Sequence, residues 1–223
     1  MRVSWHGQSA FTLDGDAATV FIDPFGDLSG DGWPGIEWGY PPIEAPVGID
    51  LLIVTHEHRD HNAVDVIDGE PTLVRSLAGT HESPLGEVVA IASEHDGAAG
   101  TERGPNTIVV FDLDGLRIAH FGDFGQSALR PEQRAHLDGI DLLFVPVGGG
   151  PTIDGATAAG IAIELGASWV VPMHYRTERI NFLEPVDDFI EAMPSAKRLD
   201  SSSFDTAELE KGTEPTAIIP AAP

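Results

Sequence analysis

Short apolar runs separated by Gly, Pro, Asp and Asn dominate the chain. Runs of about four to eight residues rich in Val, Ile, Leu and Phe are typical of β-strands. The Asp114-Gly115 pair marks a hairpin turn between two such runs. This pattern predicts strands at 2–5, 10–13, 19–22, 49–55, 72–75, 87–93, 107–113, 116–121, 140–147 and 168–173, with an edge strand at 216–219.

Helical patterns are fewer and lie mainly in the second half of the chain. We predict a short helix at 63–67 and longer ones at 132–137, 154–165 and 186–193, followed at the end of the chain by disorder over 220–223. The third helix has Asp154 as its N-cap and Gly166 as its stop signal. Because no linker or repeat divides the chain, the prediction is one α+β domain spanning 1–223, in which helices flank the sheets.

A stretch rich in Gly, Pro and aromatic residues, 26–48, has neither a helical nor a strand period. A loop of this length in a compact domain is usually functional. Trp33, Trp38 and Tyr40 would suit a lid over a substrate, and they would equally suit a structural loop that buries its own aromatic side chains. Both interpretations stay open at this stage.

Composition narrows the classes of function. The 223 residues can bury a full core, and no apolar run reaches the roughly 18–20 residues that span a bilayer. With 12 Lys and Arg against 36 Asp and Glu, the formal net charge is −24, which argues against nucleic-acid substrates. There is no cysteine, so thiolate catalysis and Cys-ligated zinc are excluded. No secretory signal is recognisable, and we expect a cytoplasmic location.

The chemistry is concentrated directly after the predicted strand 49–55. Four side chains that can bind metal, His56, His58, Asp60 and His61, form the pattern His-x-His-x-Asp-His. Residues two apart on extended chain point the same way, so His56 and His58 can hold one ion together. Asp60 and His61 follow where the chain turns, and they can reach a second ion.

Three further candidates each follow a predicted strand: His95, Asp123 and His174. Strand ends at one sheet edge converge, and a carboxylate such as Asp123 can bridge two ions. Imidazole and carboxylate ligands without thiolate suit Zn, Mn or Fe. The sequence therefore predicts a site for two divalent ions, with Zn as the first choice.

The order of these motifs resembles the metallo-β-lactamase superfamily, and more narrowly the small bacterial metal-dependent hydrolases related to L-ascorbate-6-phosphate lactonase. The resemblance runs from residue 1 to about residue 180. Besides the His-x-His-x-Asp-His pattern, it rests on Gly-Gln-Ser-Ala-Phe at 7–11, Asp-Pro-Phe at 23–25, Ala-His-Phe-Gly-Asp-Phe at 119–124, Pro-Val-Gly-Gly-Gly-Pro-Thr at 146–152 and Pro-Met-His-Tyr at 172–175.

The resemblance implies a four-layer αββα sandwich and a specific division of ligands. One ion would be held by His56, His58 and His95, and the other by Asp60, His61 and His174, with Asp123 bridging. Asp23 would orient a ligand histidine through its ring N–H. The chain departs from the family where Gln8 replaces a histidine. His6, two residues earlier, is the candidate substitute from a shifted position.

The leading hypothesis is a hydrolase for small esters, lactones or phosphodiesters. Two ions sharing a water lower its pKa from 15.7 toward about 7. Asp60 or Asp123 could accept its proton, and the backbone of 148–150 or Tyr175 could stabilise an oxyanion.

Two alternatives stay open. One is an iron-dependent redox enzyme, although the related di-iron proteins carry Glu where this chain has His58 and need a flavin domain. The other is a binding protein without catalysis. The predicted partner is a small-molecule substrate, with no nucleic acid and no membrane, and self-association is left open.

Overall fold

Two β-sheets form the body of the protein in the computed structural model, which describes residues 1–29, 35–44 and 48–223. The first sheet begins as an antiparallel meander and ends with two parallel pairings. In spatial order its strands are β13 (Ser203–Asp205), β1 (Arg2–Gly7), β2 (Ala10–Asp14), β3 (Thr19–Ile22), β4 (Leu51–Val54) and β5 (Thr72–Arg75).

The second sheet has a parallel half and an antiparallel half. The pairings from β12 to β9 are parallel, and those from β9 to β6 are antiparallel. In spatial order its strands are β12 (Ser195–Arg198), β14 (Thr216–Ile219), β11 (Trp169–Met173), β10 (Leu142–Pro146), β9 (Leu116–His120), β8 (Pro105–Leu113), β7 (Gly86–Glu94) and β6 (Gly79–Ser83).

One apolar core lies between the sheets. In β1 buried and more exposed residues alternate, because one face of the strand points inward. Phe11 on β2 meets Phe144 on β10, with ring centroids 4.5 Å apart. Every residue of β10 and β11 is buried, as expected for central parallel strands covered on both faces.

Helices cover the outer face of the second sheet. The helix α2 (Gly155–Leu165) packs on β10 and on α3 (Asp187–Ala192), while α1 (Pro131–Arg134) packs on β7. The predicted caps of α2 are confirmed: Asp154 accepts a hydrogen bond from the Thr157 N–H at 2.8 Å, and Gly166 ends the helix with φ +67°. Across the described ranges, no helix is long and apolar enough to cross a membrane.

The outer layer of the first sheet is thin. A second apolar cluster, which includes Phe21, Phe25, Tyr40 and Leu52, covers this face. The 63–67 helix is a single 3₁₀ turn, Val64–Val66, and it packs on this cluster. Together with the two sheets and the helices, this layer confirms the predicted αββα sandwich.

Several boundaries and one position differ from the prediction. The predicted edge strand, β14, lies between β12 and β11, so its assignment to an edge is wrong. The predicted disorder at 220–223 is also wrong, because the Ala221 N–H donates to the Ser201 carbonyl and Arg179 Nε donates to the Pro223 carbonyl. The helix predicted at 132–137 is shorter, and β6, β12 and β13 were not predicted.

The predicted lid is described only in part, since 30–34, with Trp33, and 45–47 lie outside the described residues. Trp38 and Tyr40 pack on Phe25, with ring centroids 5.0 and 6.0 Å away. The Gly39 N–H donates to the Arg179 carbonyl at 2.7 Å. These residues form a packed part of the loop, and a lid role for 26–48 stays a prediction.

Candidate metal centre

The seven predicted side chains meet at one edge of the two sheets. Strands β7, β9 and β11 run in the same direction, so their carboxyl ends lie side by side. Strand β4 of the other sheet ends opposite them. The residues that follow these four strands are His56, His58, Asp60 and His61 after β4, His95 after β7, Asp123 after β9 and His174 after β11.

The side chains form two groups of candidate ligands. His56, His58 and His95 make up the first, and Asp60, His61, Asp123 and His174 the second. Within each group, the atoms that could bind an ion all lie within 4.8 Å of one another. All these residues are buried except His58, which is half-buried.

One oxygen lies between the two groups. Asp123 Oδ2 is 3.0 Å from the Nε2 atom of His95 and 3.9 Å from that of His56. It is 3.3 Å from the Nε2 atoms of both His61 and His174. Four imidazoles drawn from both groups therefore surround a single carboxylate oxygen.

The residues fit divalent ions. Among the described atoms, the buried Nε2 nitrogens of His56 and His61 have no hydrogen-bond partner. A buried polar atom without a partner costs free energy, and an ion would satisfy both nitrogens. Five imidazoles and two carboxylates also form a donor set suited to Zn, Mn or Fe.

Most of the pKa shifts favour the protonation state that binds metal. Burial alone would raise the pKa of Asp123, but the surrounding His174 and His61 rings hold it well below its ordinary value. Burial lowers the pKa of His174, and burial together with the neighbouring His61 ring lowers the pKa of His56 well below its ordinary value. Ionised carboxylates and neutral imidazoles are the forms that bind metal.

His61 carries the opposite shift. Burial lowers its pKa, but Asp123, Asp60 and Asp23 outweigh burial and raise the pKa well above its ordinary value. The ring therefore sits in a strongly negative environment. A divalent cation would meet the same attraction and would displace the proton.

Asp23 supports the ligands from behind. Its carboxylate accepts hydrogen bonds from His61 Nδ1 at 2.9 Å and from the Thr55 N–H and hydroxyl at 2.8 and 2.7 Å. Thr55 Oγ1 in turn lies 3.1 Å from His56 Nδ1. A bonded Nδ1 leaves Nε2 available to bind an ion, so Asp23 orients one ring directly and a second through Thr55.

Replacing Asp23 with Asn should weaken metal binding about 10- to 100-fold, the range reported for such supporting groups. The amide cannot accept all three hydrogen bonds in the same way, so the His61 ring loses its fixed orientation. A metal titration against a competing chelator measures the effect. Asp50→Asn on the exposed surface is the matched control, and equal affinity in the two variants would refute this role.

Other supporting residues were not predicted. His95 Nδ1 lies 2.9 Å from the Pro151 carbonyl. The Asn106 amide bonds Ser93 and the Phe121 carbonyl while its oxygen accepts the Asp123 N–H at 3.1 Å. These partners are distant in sequence, and only the aligned ends of the strands bring them together.

Two glycines allow the strand ends to approach one another. A Cβ on Gly125 would collide with the backbone at His95 and Asp96, and one on Gly148 would collide with the His174 carbonyl. Each contact involves backbone that carries a candidate ligand. Any larger residue here would displace the centre.

Two of the four histidines outside both groups, His6 and His120, lie on strands β1 and β9. His120 Nε2 lies 3.0 Å from the Ser9 carbonyl, and its Nδ1 accepts the Gly122 N–H, so both nitrogens of this buried ring have a partner within the protein. The His6 ring stacks on Phe21 and lies 2.7 Å from Thr12 Oγ1. The geometry therefore gives no support to His6 as a replacement ligand.

Gln8 touches the site through its backbone. Its carbonyl accepts the His174 N–H at 3.3 Å and Trp5 Nε1 at 2.9 Å. Its buried side-chain amide has no hydrogen-bond partner among the described residues. Tyr175 is packed against Trp5, with ring centroids 5.4 Å apart.

Replacing His6 with Gln should leave metal content unchanged and reduce the acid sensitivity of the fold. Burial lowers the pKa of His6 to about 4, so between pH 6.5 and 4 the unfolded chain binds a proton that the folded chain excludes. The free energy of unfolding therefore decreases as the pH falls from 6.5 to 4, and this group accounts for about 2–3 kcal/mol of the decrease. Denaturant unfolding of both proteins at pH 7 and pH 4 measures the difference, and identical pH dependence would contradict it.

A cavity of about 500 Å³ opens over the cluster. His58, Asp60, His95, Asp123 and His174 line its floor, and Ile36, Pro151 and Phe182 give it an apolar wall. A small organic molecule would fit.

Comparisons with known proteins agree with this geometry. Residues 2–174 match the family model described as the beta-lactamase superfamily domain. A UPF0173 metal-dependent hydrolase of Korarchaeum cryptofilum is 32% identical over 79% of this chain and 84% of its own. Another from Geobacillus thermodenitrificans is 29% identical over 79% of this chain and 86% of its own.

A solved structure extends the likeness over the whole chain. A Thermotoga maritima protein, assigned to the zinc-dependent hydrolases of the metallo-beta-lactamase superfamily, superposes with a TM-score of 0.75 at 26% identity, covering 99% of both chains. The narrower relation to L-ascorbate-6-phosphate lactonase stays a prediction. By its family match, relatives and fold, the chain belongs to the beta-lactamase superfamily, among its metal-dependent hydrolases.

Proposed function

We propose that the chain hydrolyses a small ester, lactone or phosphodiester at a centre of two divalent ions. The observation that carries the proposal is the position of Asp123 Oδ2, within 3.0–3.9 Å of imidazole nitrogens from both ligand groups. An oxygen in this place suits a bridge between two ions. Zinc is the first ion to test, since the Thermotoga maritima relative is assigned to the zinc-dependent hydrolases.

The seven side chains would hold the ions in two sets. His56, His58 and His95 would hold the first, and Asp60, His61 and His174 the second, with Asp123 shared. Bound ions would lower the pKa of a shared water and polarise the carbonyl or phosphoryl oxygen of the substrate. The protein fixes this arrangement through Asp23, Thr55, Asn106 and the Pro151 carbonyl.

Asp60 and Asp123 are the proposed proton acceptors. Both carboxylates line the cavity. Burial would raise the pKa of Asp60, but the neighbouring His61 ring keeps it below the ordinary value. An ionised carboxylate beside the attacking water can take up its proton.

The two expected oxyanion donors receive less support. Tyr175 is buried against Trp5, where burial raises the pKa of its hydroxyl. The Gly149 N–H donates to the Ile153 carbonyl at 3.1 Å. Ions held by the seven candidate ligands would supply the stabilisation of the developing charge instead.

The test is hydrolysis of a panel of aryl esters, lactones and bis-aryl phosphodiesters by zinc- or manganese-loaded protein. We expect turnover that chelation abolishes and metal restores. Turnover that persists after complete metal removal would overturn the proposal. Metal-loaded protein inactive on the whole panel would favour the binding protein, and visible absorbance from bound iron would favour the redox enzyme.

A further inference from the structure

We infer that the cavity selects substrates carrying an anionic group, a carboxylate or a phosphate monoester, and that Arg103 binds this group away from the scissile bond. The inference rests on the proposed function and adds a substrate class to it. Arg103 lines the cavity together with the candidate ligands. Its guanidinium is suited to bidentate contacts with either kind of anion.

The large negative net charge of the chain makes the position of Arg103 informative. With only 12 Lys and Arg against 36 Asp and Glu, the surface as a whole repels anions. One of those cations, Arg103, nevertheless lines the cavity. A cation at the mouth of a cleft attracts an anionic ligand.

Glu57, the acidic lining residue that is not a candidate ligand, is already ion-paired. Glu57 accepts hydrogen bonds from Arg75 Nε and Nη2 at 2.9 and 2.8 Å. This contact, reinforced by Ser76, lowers the pKa of Glu57 to about 2. Within the described part of the chain, Arg103 is ion-paired to no carboxylate.

The loop that carries Arg103 is built around a buried carboxylate. Asp96, directly after His95, accepts four backbone N–H groups, those of Ala98, Gly100, Glu102 and Arg103, at 2.8–3.1 Å. The loop closes where the His95 N–H donates to the Gly104 carbonyl. Asp96 thus fixes the backbone of Arg103 relative to the candidate ligand His95. A recognition residue on a fixed loop is held more precisely than one on a mobile loop.

The wall between the two ends of the cavity is apolar. Ile36, Pro151 and Phe182 line it, and a short hydrocarbon segment would bury its surface there. The complementary ligand has one polar end at the ions, an apolar middle and an anionic end at Arg103. A lactone or ester of a short-chain acid with a second acidic group has this form.

The test compares ligands that differ only in the second anion. Calorimetry on zinc-loaded protein would measure the binding of adipate and pimelate against hexanoate and heptanoate. Each of these acids has one carboxylate that can bind the metal. The difference in affinity between a diacid and its monoacid therefore reports on the second carboxylate. We expect the diacids to bind more tightly to the wild type, and Arg103→Ala to weaken them about tenfold while leaving the monoacids unchanged.

Two controls separate the causes. Arg2→Ala removes a different exposed arginine, the one on β1. It should change the binding of neither the diacids nor the monoacids. Metal content measured on each variant separates loss of the ions, which bears on the proposed function, from loss of anion binding. Diacids that bind no better than monoacids, or an equal loss of both in Arg103→Ala, would overturn the inference. A matching arm with 5-phosphonopentanoate shows which of the two anions the site prefers.

Discussion

Replacing Asp123 with Asn is expected to lower kcat about 100- to 1,000-fold, the scale on which loss of one preorganised electrostatic group slows an enzyme. The carboxylate lies among four histidines of both ligand groups. An amide keeps its size but supplies neither the negative charge nor the second carboxylate oxygen. The kcat for hydrolysis of an aryl ester by the metal-loaded protein measures the effect.

The same substitution at a distant carboxylate is the control. Asp112 on β8 is exposed and pairs with Arg117 at 3.5 Å, so Asp112→Asn should retain activity. The Asp123 variant should also bind less metal, because its oxygen would be shared by both ions. Near-normal turnover in Asp123→Asn would refute the bridging role and the mechanism built on it.

Removing the metal is expected to lower the unfolding temperature by about 8–16 °C. Free metal at 1,000 times its Kd stabilises the folded state by about 4.1 kcal/mol, and 1 kcal/mol corresponds to roughly 2–4 °C in a chain of this size. The physical source is the buried cluster, where Asp60, Asp123 and five imidazoles crowd together with unpaired nitrogens.

Calorimetric scans of metal-loaded and chelated protein would measure this shift. Asp123→Asn should show a smaller metal-dependent shift than wild type, whereas Asp112→Asn should match wild type. An unfolding temperature that is identical with and without metal would mean that the cluster does not bind an ion in the folded state.

The strands that the sequence did not predict share one position in the fold. β6, β12 and β13 are all edge strands. Every residue of Ser195–Arg198 is exposed, so this segment has no alternation of apolar and polar residues to indicate a strand. Edge strands are often short and charged, and their pairing is decided by the neighbouring strand.

The error at β14 follows from that omission. Residues 216–219 form a strand, as predicted. They were assigned to the edge of the sheet because the prediction lacks β12, which lies outside them. The central strands were predicted well, because β10 and β11 are continuous apolar runs buried throughout.

The candidate ligands were visible in the sequence because a local motif concentrates four of them and strand ends supply the other three. The groups that orient them were harder to find. Asn106 lies 17 residues from the Asp123 N–H that it accepts, and Pro151 lies 56 residues from His95. Such partners depend on how strands are ordered in the sheet, and a backbone carbonyl leaves no signal in residue type.

The most direct test is the metal content of the chain, measured by elemental analysis on protein purified without chelators or a histidine tag. We expect about two equivalents of Zn or Mn per chain, falling in Asp123→Asn. A chain that contains no metal and takes up none on reconstitution would contradict it, because the seven side chains would then not form a metal centre.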